Sequence, residues 1–273
     1  MSLAVTTAMP MASPSPPSLL VAEQIQRNRR VWLLEVALVA GVLALLGLLL
    51  GVVLALLAGG GGATVGAGLG VGLAAAVLVA NLVPGLGEQA ALQRVAARPS
   101  DPERHPRLHN LTAGLCEQAG LPVPRLYVID SAAANAFAVG RDPAHSAIVL
   151  TSGLLEALNR VELEGVVAHE LAHVQNRGAR LASAAVILDR FPGLPRLGAQ
   201  PRRLLDADQA AAYLTRYPPG LVGALRKLGA ATGPLPGRPG LDHLWMVAPE
   251  PPSAGAVPTH PSLEERIEAL RDL

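Results

Sequence analysis

The feature that most limits what this chain can become is the apolar run from Val31 to Ala58, which carries a single charge, Glu35, near its start. About 20 apolar residues span the hydrocarbon core of a bilayer, so the run is long enough to cross one. It is too long for the apolar region of a cleaved signal peptide. Trp32 suits the interface, and Glu35 is close enough to the end to snorkel. Gly59 to Gly62 form a turn, and a second apolar run follows from Ala63 to about Val83. This pattern predicts a two-span transmembrane hairpin over residues 27–98. Gly66, Gly68, Gly70 and Gly72 give G-x-x-x-G twice, and Gly47 and Gly51 repeat the spacing in the first span. Small residues so placed let membrane helices approach closely. Their partner is either the other span or another copy of the chain, which would make a homo-oligomer. Arg27, Arg29 and Arg30 precede the first span and Arg94 and Arg98 follow the second, so the positive-inside rule puts both ends in the cytoplasm.

Composition agrees with a membrane protein. Of 273 residues, 51% are hydrophobic and only 16% charged, outside the usual range for a soluble domain. A net charge of +1 provides no basic field for nucleic acid. The single cysteine, Cys116, cannot form an internal disulfide and fits a reducing compartment. Residues 1–26, rich in Ser, Pro, Ala and Thr at their start, read as a disordered tail. The remaining residues, 99–273, read as one soluble domain.

Within that domain, Val166-Val167-Ala168-His169-Glu170-Leu171-Ala172-His173-Val174-Gln175 holds the pattern H-E-x-x-H in an uncharged, helix-compatible run. Residues i and i+4 of a helix share a face, so His169 and His173 can present two imidazoles to one zinc ion. Glu170 would then lie beside a metal-activated water and could act as general base. Asn159, followed three positions on by Glu162, predicts a capping box for this helix, and Gly178 a stop. The competing reading is a core helix with two satisfied histidines. No phosphate loop, Ser-His-Asp set or cysteine nucleophile is visible.

Leu108, Leu111 and Leu115 predict a helix after a polar linker from Arg98 to Pro106. Tyr127–Ile129, Asn135–Val139 and Ala147–Leu150 predict strands, with a turn from Gly140 to Pro143. Later helices are expected over Arg202–Tyr217, from Pro219, and after Ser262, whose pairing with Glu265 predicts a capping box. Leu244–Val247 is a possible strand. Ala179–Leu188 is apolar but too short to span.

The sequence resembles the HtpX-type membrane zinc metallopeptidases from the hairpin to the C-terminus. The resemblance is carried most densely by Arg125-Leu126-Tyr127-Val128-Ile129-Asp130, Asn135-Ala136-Phe137-Ala138, Thr151-Ser152-Gly153-Leu154-Leu155 and Glu162 to His173. Ala207-Asp208, Leu214-Thr215-Arg216, Leu221 to Leu228, His243-Leu244 and His260-Pro261 with Glu264-Glu265-Arg266-Ile267 add to it. It implies an α+β, mainly helical, gluzincin-like domain with a small sheet. It also implies cleavage of damaged or misassembled membrane proteins, with the edge strand around Asn135 to Val139 pairing with substrate. Phe137 itself reads as a core side chain. Two departures stand out. The family has more membrane-associated segment after the motif helix. Its third zinc ligand, a glutamate four residues before the Asp of Ala207-Asp208, is replaced here by Leu204. Asp208 is therefore either a substitute ligand or the group that orients a histidine. His260 is either an oxyanion stabiliser or a residue capping a local turn.

Overall fold

The structure, a computed structural model, describes residues 17–188, 201–231, 235–237, 240–249 and 259–273. Two long helices lead: α1 (Pro17–Ala58) and α2 (Gly62–Arg94). They are followed by β1 (Arg98–Pro99), α3 (Pro106–Ala119), β2 (Arg125–Ile129), β3 (Ala136–Asp142), β4 (His145–Thr151) and α4 (Ser152–Ala157). Then come α5 (Arg160–Gln175), α6 (Gly178–Leu188), α7 (Arg202–Thr215), α8 (Pro218–Ala230) and α9 (Leu263–Arg271).

Both α1 and α2 are long and apolar enough to cross a membrane. Only 11% of the most apolar window of each is buried, unlike the core helix of a soluble protein. Leu45, Leu49, Leu56 and Leu78 stand exposed along them, which suits lipid and not water. The two helices pack on each other through the glycines. A Cβ at Gly47 would overlap the Gly68 carbonyl, and one at Gly72 would overlap that of Leu43. The stripe of Gly47, Gly51, Gly68 and Gly72 is thus used within the hairpin, while Gly66 and Gly70 face open space.

The expected tail ends earlier than residue 26. Helix α1 begins at Pro17, and Gln24 and Asn28 are buried. Helix α2 likewise continues past Val83, through Pro84, to Arg94.

The sheet has the order β1-β2-β4-β3, with β2 and β4 parallel and the other pairs antiparallel. β1 lies inside the expected linker and pairs with Tyr127 and Val128. Both sheet faces are covered, so the apolar run of β4 is continuous and not alternating. Ala136, Ala138, Ile148 and Leu150 pack towards α5, α8 and α3. Phe137, Val139, Ala147 and Val149 pack towards α2, α6 and Trp245. β3 is an edge strand with Phe137 fully buried, its ring meeting Trp245 edge to face at 5.0 Å.

Two further expectations change. Leu244–Val247 is not a strand: a 3-10 turn at Asp242–Leu244 runs into bends, because the Asn135 side chain pairs with Val247 in both directions. Gly178 does not stop the motif helix but opens α6; Arg177, with φ 63°, takes the left-handed position between them. The apolar stretch from Ala179 forms α6, which docks on α2 so closely that a Cβ at Gly87 would overlap the Ser183 carbonyl.

Candidate active site

Helix α5 is held at its start by the full capping box. Glu162 N donates to Asn159 Oδ1 (3.0 Å), and Asn159 N donates to Glu162 Oε2 (2.8 Å). Lys227 closes the corner with a 2.6 Å bond to the same carboxylate. The helix is buried nearly all round by α3, α7, α8 and the sheet. His169, Glu170 and His173 are 0%, 1% and 5% exposed. The two rings lie 4.9 Å apart between centroids, at 86°.

Asp208 reaches this centre from α7. Its Oδ1 is 2.8 Å from His169 Nδ1. Arg266 of α9 grips the same carboxylate through Nε (2.7 Å) and Nη2 (2.8 Å), and Met246 O through Nη1 (2.6 Å). Both Asp208 oxygens are therefore engaged, and the group orients His169, turning Nε2 inward. Burial pushes Asp208 up, but Arg266 and His169 together outweigh it and hold the carboxyl below its ordinary range. Burial pushes His169 down against the pull of Asp208, and it pushes His173 well down, which favours the neutral form of both rings.

Leu204 lies on α7 one turn before Asp208 and is buried. Beside it, the Arg203 guanidinium is brought down to about 10 by burial, against the charges of Glu170, Glu35 and Asp206. Burial pushes Glu170 up to about 8, opposed by Arg266 and Arg203. That value is suited to a group that exchanges a proton near neutral pH.

His260 does not point an open nitrogen at this centre. Its Nε2 donates to Trp245 O at 2.7 Å, and its Nδ1 is 2.8 Å from Thr259 Oγ1. This is the local-turn arrangement. Burial brings its pKa down to about 4.

Do these residues fit a zinc ion? His169 Nε2, His173 Nδ1 and both Glu170 oxygens are buried without a hydrogen-bond partner. Leaving four such atoms unmet costs several kcal/mol at ~1–3 kcal/mol per group, and a cation taking up imidazole lone pairs relieves it. Among the described residues, no three His, Cys, Asp or Glu groups converge as a ligand set. Two imidazoles on one helix, with ring centroids 4.9 Å apart, are the donors present, and a cation held by them would keep more of its shell as water than three protein ligands would leave.

Sequence reasoning missed Arg266 and Arg203 as parts of this centre. Arg266 left a signal: it falls on the apolar face of α9 with Leu263 and Leu270, where a cation needs a buried partner.

Comparison with known proteins agrees with this geometry. Residues 102–194 match the model of peptidase family M48. The protease HtpX homolog of Dictyoglomus turgidum is 35% identical over 213 residues, covering 62% of this chain and 70% of the relative. The homolog of Acaryochloris marina is 36% identical over 229 residues, covering 68% and 78%. That of Caldanaerobacter subterraneus is 32% identical over 233 residues, again covering 68% and 78%. The mainly helical fold, small mixed sheet and H-E-x-x-H helix define a membrane-anchored metallopeptidase class. Within it, this chain belongs to the HtpX-type proteases of family M48.

Proposed function

We propose that the protein is a zinc-dependent endopeptidase that cleaves membrane proteins or misfolded proteins at the cytoplasmic face, anchored by two spans. The observation that carries this reading is the cluster of buried, unpartnered His169, Glu170 and His173 atoms. His169 and His173 would hold zinc, with His169 fixed by Asp208. When bound, zinc polarises water and the scissile carbonyl. Glu170 accepts a proton from the attacking water and returns it to the leaving amine.

Substrate would pair with the β3 edge. The Ala136 carbonyl accepts from Met246 N at 2.8 Å, and Gly140 N donates to Ser183 Oγ at 2.9 Å. These bonds occupy the outward-facing groups at both ends of the edge, so substrate would pair at Ala138 between them. With the motif residues fully buried, substrate entry requires the covering elements to part.

The test is Glu170→Gln in the full chain with dye-labelled unfolded protein as substrate. Loss of cleavage by about 10²–10⁴-fold, with fold and metal content kept, supports the reading; unchanged cleavage overturns it.

Leu204 favours a second reading, in which the chain binds zinc weakly or not at all and captures membrane-protein segments without cutting them. Membrane proteins that co-purify intact, with no zinc, would support it.

A further inference from the structure

The start of α1 does something that an anchor does not need. Gln24 and Asn28 are four residues apart on one helix face, outside the apolar run, and are only 4% and 5% exposed. Burying primary amides is costly unless their hydrogen bonds are met, and here they are met across the fold. Gln24 Oε1 accepts from Asn176 Nδ2 at 3.1 Å, and Gln24 Nε2 donates to the Asp206 carbonyl at 3.0 Å. Asn28 Nδ2 donates to the Asn176 carbonyl at 2.8 Å. Arg27 pairs with the Asp206 carboxylate. Asn176 is itself rigid: its N donates to Ala172 O (2.9 Å), and its Oδ1 accepts from Gly178 N (2.8 Å).

The two residues gripped are not arbitrary. Asn176 caps the C-terminus of the motif helix three residues after His173, and Asp206 sits on α7 midway between Leu204 and Asp208. One side chain, Gln24, therefore bridges the helix that carries both histidines and the helix that carries the group orienting His169. The contact continues along the same helix as the Arg180 guanidinium at the start of α6 stacks over Trp32, 4.1 Å from the ring centroid.

We propose that Gln24, Arg27 and Asn28 form a clasp through which the membrane anchor sets the spacing between α5 and α7, making Gln24 a positioning residue for the site. A fixed spacing matters because the geometry of a metal or catalytic centre tolerates only ~0.5 Å of displacement. The inference concerns helix placement and does not depend on the zinc reading.

The test uses the full chain in lipid nanodiscs, with chelator present, and amide hydrogen exchange as readout. Gln24→Ala should speed exchange at residues 174–180 and 203–209 by tenfold or more, leaving residues 147–150 of β4 unchanged. Gln24→Glu keeps the acceptor for Asn176 and loses the donor to Asp206, so it should spare 174–180 and speed 203–209. Asn28→Ala, a milder change should Gln24→Ala fail to fold, should speed only 174–180. Unchanged exchange at both segments in Gln24→Ala overturns the proposal. So does an equal rise that includes β4, or a Gln24→Glu or Asn28→Ala profile that does not discriminate the two segments.

Discussion

Arg266 is the residue on which the site's electrostatics turn. It is 1% exposed, and it neutralises Asp208, which orients His169. Removing one partner of a buried ion pair leaves the other charge unmet, a loss of about 3–5 kcal/mol. Arg266→Met should lower the thermal midpoint accordingly. The folded-state pKa of Asp208 is below its unfolded value. The stabilisation is therefore complete above the ordinary carboxylate range and is lost as pH falls through the folded value. Thermal midpoints of metal-free protein should fall more steeply below about pH 4 in the parent than in Arg266→Met. Cys116 gives a second check. Burial pushes its thiol up to about 11, so alkylation at pH 8.5 should require unfolding; rapid labelling of the folded chain would contradict its packing. Leu204→Glu should tighten zinc binding by tenfold or more, because a carboxylate on that buried face of α7, one turn from Asp208, supplies the missing donor. The motif residues were legible in the sequence because their spacing is local. Arg266 and Asn176 were not, since their partners lie at the far end of long sequence separations.

At the scale of elements, glycines record where helices touch. Gly87 meets the Ser183 carbonyl of α6, whereas Gly85 meets nothing within 4 Å. Gly87→Val should push α6 off α2 and loosen the Ser183 bond to β3, while Gly85→Val should be tolerated. Exchange at the Gly140 amide distinguishes the two, and equal effects would contradict the packing. The strands and most helices could be read from apolar periodicity and from caps such as Asn159 with Glu162. The limits of that reading were physical. The start of α1 is polar by composition, and it is ordered by partners more than a hundred residues away, Asn176 and Asp206. The segment at Leu244–Val247 has strand-like residues, but Asn135 and Arg266 bind its backbone in a bent path.

For the whole molecule, the hairpin, the sheet and the motif helix form a continuous structure, with α6 packed between anchor and sheet and α1 touching both α6 and α7. The fold class and the two long apolar helices were legible because hydrophobic length and the H-E-x-x-H motif each constrain architecture strongly. Metal binding was not, because it depends on whether two imidazoles suffice where Leu204 stands. The most direct measurement is zinc content per chain in the purified full-length protein, with His173→Ala as control. The account predicts close to one zinc per chain in the parent and its loss in the variant. Little or no zinc in both, even after zinc is added, would contradict it and leave the segment-binding reading in its place.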